Sequence, residues 1–287
     1  MKKSTVFRNR LEQKDILVAP GVTTALFGYL VELAGFEAVY ATGAGIANMN
    51  FGFPDVNMVG MIENFETIKR INDATTLPVI ADIDNGYGTA VSVYRTVKTF
   101  SAAGIAGLQM EDQCLPKRCG HFENKALISK EEMVGKIKAA KDAQVDPDVV
   151  LIARTDAIAA TGYEDALERA AAYLEAGADM IFVEAPTSVE MMREIPKRIK
   201  AKHMANMVEG GKTPLLRNKE MKEMGFDFVI YPNSSLKAAV KGVKDILTYL
   251  KNEDTAANAD HLMISMRERN VITKLAEWDA LAEKYRF

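Results

Sequence analysis

The stretch LEAGADMIFVEA (174–185) decides the fold. Its first part closes a segment of helical period, Gly177 follows, and the chain then runs apolar up to Glu184. A glycine there suits a helix C-terminus, which needs a residue tolerant of positive φ. The run after it does not alternate polar with apolar. Unbroken apolarity marks a strand covered on both faces, as in a parallel sheet flanked by helices. The pattern recurs as ELAGFEAVY (32–40), SAAGIAGLQMED (101–112) and KEMGFDFVIYP (222–232), with Gly35, Gly104 and Gly225 at the equivalent point.

Working outward, eight apolar runs lie near Ile16–Ala19, Ala38–Ala41, Pro78–Asp82, Gly107–Glu111, Val149–Arg154, Met180–Glu184, His203–Met207 and Asp227–Tyr231. Helix-period segments separate them, among them 58–73, 90–103, 130–144 and 164–176. Eight alternating βα units in 287 residues is the arithmetic of an α/β fold of the (β/α)8, TIM-barrel type. A doubly wound open sheet competes, but its G-x-G-x-x-G turn is absent; the turn after the first run reads APGVTTALFG (19–28). The barrel is assigned to residues 1–251. The polar run NEDTAANAD (252–260) opens a helical tail, 252–287, beyond the eight units. Its stripe of Leu262, Met263, Met266, Val271, Leu275, Trp278 and Leu281 is expected to pack on its own barrel or on a neighbouring subunit, with Trp278 a packing residue.

Hydrophobic residues make up 48% of the chain, enough for a substantial core, and 36 basic against 39 acidic residues leave a net charge of −3. That balance argues against a general nucleic-acid surface. The N-terminus MKKSTVFRNRLEQKD is too polar for a signal peptide, and no later stretch is apolar over membrane length. Two cysteines cannot build a disulfide framework, and Cys114 and Cys119 do not form a C-x-x-C pair. A cytoplasmic protein with no membrane or nucleic-acid partner is expected.

Both cysteines fall in EDQCLPKRCGH (111–121). Lys117, Arg118 and His121 surround Cys119, and nearby cations lower a thiol's pKa, so Cys119 can exchange a proton near neutral pH. The acidic pair Glu111-Asp112 stands just ahead of it at a strand end.

In a (β/α)8 barrel the active site lies at the C-terminal strand ends. Those ends read Thr42-Gly43-Ala44, Asp82 with Asp84, Glu111-Asp112, Arg154 with Asp156, Glu184, Asn206 with Glu209, and Asn233-Ser234. So much charge on one rim points to catalysis. On an extended strand, Asp82 and Asp84 would present both carboxylates to the same face. With Glu111 they make a cluster of hard oxygens without histidine, which suits Mg2+, or Mn2+ in its place. Alternatively the two aspartates cap the turn through Asn85-Gly86. Arg154 would bind a substrate carboxylate, or pair with Asp156 or Glu184, and both can hold at once. EGGKTP (209–214) fails the phosphate-loop pattern, which would need glycine at position 206, and reads as a site loop with Lys212 an anion contact. His203 opens a strand at the far rim and reads as structural.

Together these residues resemble the isocitrate lyase/phosphoenolpyruvate mutase superfamily over nearly the whole chain. The matching segments are PG (20–21), YATGAG (40–45), FGFPDVN (51–57), ADIDNGYG (81–88), QMEDQ (109–113), PKRCGH (116–121), ARTDA (153–157), FVEAP (182–186), ANMVEGGKTP (205–214) and YP (231–232). The KRCGH element is the most specific and resembles the carbon–carbon lyases of that superfamily. The resemblance implies that Asp82, Asp84 and Glu111 surround Mg2+, with Asp55 in its outer shell. Thr42, Gly43 and Ala44 would hold an α-keto acid carboxylate, and Arg154, Glu184, Asn206 and Gly120 would complete the substrate site. Residues 114–128 would be a gating loop carrying Cys119, and the tail would be exchanged between subunits of a homotetramer. Ala44 stands where methylisocitrate lyases show a second glycine, Phe122 where arginine is frequent, and Asn233-Ser234 where leucine is more usual. These differences favour a smaller dicarboxylate with alkyl substituents.

The implied reaction cleaves a 2-hydroxy di- or tricarboxylate, of the 2,3-dimethylmalate or 2-methylisocitrate type, into an α-keto acid and a carboxylic acid. Tyr40 is the candidate base by position. Arg154, Lys117 and His121 are candidates to stabilise the carbanion, and Cys119 to protonate it. Oxaloacetate hydrolysis or decarboxylation, phosphonate chemistry, and a non-enzymatic barrel are the competing readings.

Overall fold

The computed structural model describes residues 1–115 and 126–286. The chain runs α1 (Lys3–Leu11), β1 (Leu17–Val22), α2 (Ala25–Leu33), β2 (Val39–Ala41), α3 (Gly43–Phe51), α4 (Met61–Ala74), β3 (Val79–Asp82), α5 (Ala90–Ala102) and β4 (Gly107–Glu111). It continues α6 (Lys130–Ala143), β5 (Val150–Thr155), α7 (Ala157–Ala160), α8 (Tyr163–Glu175), β6 (Met180–Val183), α9 (Val189–Arg198), β7 (Lys202–Asn206), α10 (Asn218–Met224), β8 (Phe228–Tyr231) and α11 (Ser234–Glu253). Helices α12 (Met266–Ile272) and α13 (Leu275–Lys284) end it. Among the described residues the strands close in chain order into a parallel barrel, with β8 pairing β1. No helix is long and apolar enough to cross a membrane among those residues.

The recurring glycines behave as their sequence context predicts. Gly35, Gly104, Gly177 and Gly225 all have positive φ at the end of a helix. The first strand differs from expectation. It runs on through Pro20 and Gly21, which the sequence presents as turn signals, and Pro20 pairs with Tyr231 of β8. Gly21 is needed there for space, since a Cβ would sit 2.1 Å from the Pro232 carbonyl oxygen.

Side chains on each strand alternate between the barrel axis and the helix layer. Leu17, Ala19, Ile80, Val150, Ile152, Met180, Phe182, Met204, Phe228 and Ile230 pack along the axis. Their neighbours Val79, Ala81, Leu108, Met110, Leu151, Ala153, Ile181 and Val183 pack outward against helices. His203 is buried with its Nε2 2.8 Å from the Ile199 carbonyl, the structural role expected.

Helix α1, which the sequence pattern did not reveal, closes the floor of this core. Phe7 and Leu11 join the axial cluster, and the Phe7 ring meets Phe228 edge-on at 5.4 Å. Gly107 leaves room for it: a Cβ there would come 3.0 Å from Phe7 Cε1. The helix is held from outside by polar bonds, Ser4 Oγ donating to Asp146 at 2.8 Å and Arg10 reaching Glu37 and Asp15 at 2.9 Å.

On the single chain Trp278 is 63% exposed, and Met266, Val271 and Leu275 are also exposed. Ile272 is buried instead. Lys274 lies over the Tyr29 ring of α2 at 4.7 Å.

Phe7 is fully buried, so Phe7→Ala should cost about 3–5 kcal/mol. Chemical denaturation followed by circular dichroism measures it. A loss below about 1 kcal/mol would mean that this ring does not close the barrel floor.

Candidate active site

The axial positions change character at the carboxyl ends of the strands. Below, they are apolar; at the last turn they become Tyr40 and Thr42, Asp82, Glu111, Arg154, Glu184 and Asn206. All but Asn206 are buried. Register sets their neighbours: Asp82 stands opposite Gln109, and Glu111 opposite Arg154.

Arg154 is the centre of charge. Its Nε and Nη2 grip both oxygens of Asp156 at 2.9 and 3.0 Å. Glu111 Oε2 lies 3.4 Å from Nε, Glu184 Oε2 lies 3.7 Å from Nη1, and the guanidinium sits 5.2 Å from the centre of the Phe182 ring. Burial disfavours the cation, but Asp156, Glu184 and Glu111 more than offset that and hold its pKa well above the ordinary arginine value. The ion pair weighed for Arg154 is therefore present, and the residue stands at the rim as expected. Asn206 Nδ2 approaches both oxygens of Glu184 at 3.4 Å.

Asp82 and Asp84 do converge, but not as an extended strand would bring them together. Strand β3 ends at Asp82, and Asp84 has φ +50°. The Asp84 N–H donates to Asp82 Oδ1 at 3.1 Å, so the turn-capping role is real too. Both carboxylates face the N-terminus of α3. Gly43 N–H donates to Asp82 Oδ2 at 3.3 Å, and Thr42 Oγ1 caps the helix at Gly45 N–H. A Cβ on Gly43 would lie 3.1 Å from Asp82 Oδ2 and 3.3 Å from Asp84 Oδ1. The glycine keeps this acidic hollow open. Ala44 follows it in the first turn of α3. Among the described residues no group of three His, Cys, Asp or Glu side chains is close enough to hold a metal alone. A divalent ion here would also need water or substrate oxygens, as Mg2+ commonly does.

Tyr40 is buried among these groups and its hydroxyl donates to Gln109 Oε1. Burial raises its pKa well above the ordinary value, the Asp82 charge adds to that, and Arg154 opposes it. In this setting Tyr40 is a proton donor. A base role would need added positive charge beside it.

The family model for phosphoenolpyruvate phosphomutase matches residues 7–251. This chain belongs to the phosphoenolpyruvate mutase/isocitrate lyase superfamily. It is 44% identical over 285 residues to 2,3-dimethylmalate lyase of Eubacterium barkeri, covering 99% of each chain. It is 42% identical to 2-methylisocitrate lyase of Shewanella oneidensis, covering 97% of this chain and 94% of that one. A crystal structure of 2,3-dimethylmalate lyase superposes with TM-score 0.93 at 34% identity, covering 99% of this chain and 95% of that chain. Phosphonopyruvate hydrolase in complex with oxalate and Mg2+ superposes with TM-score 0.89 at 29% identity, covering 99% of each. The chain is an enzyme, a carbon–carbon lyase of this superfamily.

The other predicted residues of this superfamily member fall in three places. Asp55 lies half-buried between α3 and α4, and Lys212 is exposed between β7 and α10. Glu209 pairs with Lys237 at 3.1 Å and accepts from Ser234, tying two rim connections together. Lys117, Cys119, Gly120 and His121, with Arg118 and Phe122, lie outside the described residues.

The acidic pair Glu111-Asp112 is split by strand alternation. Glu111 faces the axis, whereas Asp112 turns outward beneath α8, fully buried, where Thr155, Tyr173 and Arg169 contact it. Asp112 is thus not part of the acidic mouth. Two contributors were missed. Gln109 joins Tyr40 to Asp82 Oδ1, at 3.4 Å from the latter, and a polar residue inside an apolar strand was the available signal. Asn64 of α4 donates to the Asp82 carbonyl at 2.9 Å, a contact across 18 residues that local pattern does not reveal.

Gly43→Ala should not raise the melting temperature, because crowding of Asp82 and Asp84 opposes the about 0.5–1 kcal/mol by which alanine favours a helix interior over glycine. It should also lower lyase kcat/KM by at least about tenfold through displacement of Asp82 and Asp84. Unchanged kcat/KM would show that the hollow is not used.

Proposed function

We propose that this lyase cleaves the C2–C3 bond of a 2-hydroxy dicarboxylate carrying alkyl substituents, of the 2,3-dimethylmalate type, to pyruvate or a similar α-keto acid and a carboxylic acid. The observation that carries the reading is the mouth itself. A buried arginine and the Asp82–Asp84 hollow both line the carboxyl end of the barrel in a chain 44% identical over 285 residues to a 2,3-dimethylmalate lyase. Ala44 in place of a second glycine narrows the keto-acid end, which favours the smaller substrate over a methylisocitrate.

The donor set is hard oxygen, and Gly43 leaves space before it, so the residues fit Mg2+, or Mn2+ in its place. Asp82, Asp84 and Glu111 would hold the ion together with water and substrate oxygens, with Asp55 outside them, and when bound it would acidify the substrate hydroxyl.

The chain's own residues do the rest. Thr42, Gly43 and Ala44, at the N-terminus of α3, would seat the keto-acid carboxylate, since a helix start favours an anion. Tyr40, as tyrosinate once a cation offsets its acidic neighbours, would take the hydroxyl proton and become the neutral phenol that donates to Gln109. The C2–C3 electron pair then passes to the departing half as a carbanion delocalised into its carboxylate. Arg154, oriented by Asp156, would face that charge, with Glu184 and Asn206 beside it. Cys119 would deliver a proton to the carbanion and remain in place as thiolate, with Lys117 and His121 favouring that charge.

Exposure of Val271, Leu275 and Trp278 on a single chain supports packing of 252–287 on a neighbouring subunit, in the homotetramer that the superfamily resemblance implies. A cytoplasmic location fits a chain in which no described helix spans a membrane.

A screen of 2,3-dimethylmalate, methylisocitrate, isocitrate, citramalate and oxaloacetate, with keto-acid release read by a coupled dehydrogenase, tests the substrate. Turnover is expected with dimethylmalate, and its loss on chelation with recovery on adding Mg2+. Consumption of oxaloacetate alone would overturn the reading. Cys119→Ser should lower kcat by about 100-fold or more while substrate still binds by calorimetry. A fully active serine variant would remove Cys119 from proton delivery.

A further inference from the structure

The outward-facing Asp112 sits in a polar cluster that the reaction above does not use. Its Oδ2 accepts from Thr155 Oγ1 at 2.7 Å and from Tyr173 at 2.8 Å, with Arg169 Nη1 at 3.3 Å. Its Oδ1 accepts the Asp156 N–H at 3.0 Å. Arg169 also donates to the Ile128 carbonyl at 2.9 Å, and its Nε pairs with Asp165 at 2.8 Å. Arg169 and Tyr173 lie one turn apart on α8, on the same face.

These bonds form a continuous path to the rim. Arg169 and Tyr173 hold Asp112; Asp112 holds the backbone of Asp156; the Asp156 carboxylate holds Arg154 through two hydrogen bonds. The other anions near Arg154 are farther, at 3.4 and 3.7 Å, so Asp156 sets the plane of the guanidinium. A buried ionic cluster is an expensive way to gain stability, since apolar residues of similar volume often do as well. Such a cluster is better suited to fixing a geometry.

We infer that Arg169 and Tyr173 are positioning residues for Arg154, acting from the helix layer through Asp112 and Asp156. This rests on Arg154 facing substrate, as proposed above. Tyr173→Phe removes one oxygen and leaves the ring in place, so it keeps the fold; Arg169→Lys keeps the charge and loses the fork.

The test is a double-mutant cycle. Tyr173→Phe should lower kcat/KM by about tenfold in the native enzyme and by less than about twofold in an Arg154→Lys background. Equal effects in both backgrounds would overturn the inference, because a merely structural loss would not depend on Arg154. A second readout does not need turnover. The Arg154 Nε–Hε resonance, assigned by its disappearance in Arg154→Lys, should shift in Tyr173→Phe and in Arg169→Lys. An unmoved resonance would also overturn the inference. Lack of turnover on every screened acid by the native protein would instead count against the proposed reaction, while the resonance still decides the positioning role.

Discussion

The side chains of a closed barrel have two directions to take, and strict alternation between them governs this molecule. Axial positions must fill a narrow dry cylinder and so are apolar wherever they are enclosed. At the carboxyl end the cylinder opens, and the same positions can carry Asp82, Glu111, Arg154 and Glu184. Outward positions belong to the helix layer, which is why Asp112 is separated from its neighbour Glu111 although the two are adjacent in the chain.

The site is consequently an electrostatic balance held by backbone geometry. One guanidinium stands among three carboxylates, and the tightest of these, Asp156, is in turn fixed by the hydrogen bond its backbone N–H donates to Asp112 in the outer layer. On the other side of the mouth, the N-terminus of α3 and the turn at Asp84 draw two more carboxylates together over a glycine. Positive φ at Asp84 and at Ala185, next to Glu184, places strained backbone at two strand ends of the rim. Chain segments from four strands must be correct at once for these charges to coexist.

The barrel was legible because its signal is local and repeated: a glycine at positive φ, then an apolar run, again and again. The rim residues Asp82, Glu111, Arg154, Glu184 and Asn206 were legible for the same reason, as charge or amide at the end of an apolar run. What escaped was set by space between distant segments. Gly21 reads as part of a turn and is a strand residue, because its constraint is the carbonyl of Pro232. Helix α1 has no apolar stripe to announce it, since Phe7 and Leu11 alone reach the core. The fate of Asp112 depended on which way it turned just past the end of β4, and Trp278, a packing residue by type, is 63% exposed on a single chain.

The floor made by α1 also fixes which end of the barrel the first residue belongs to. Met1 is 93% exposed, and it precedes a helix seated on the face away from the acidic mouth. An affinity handle or a surface tether attached at that residue would therefore leave the acidic mouth of the barrel turned towards bulk solvent.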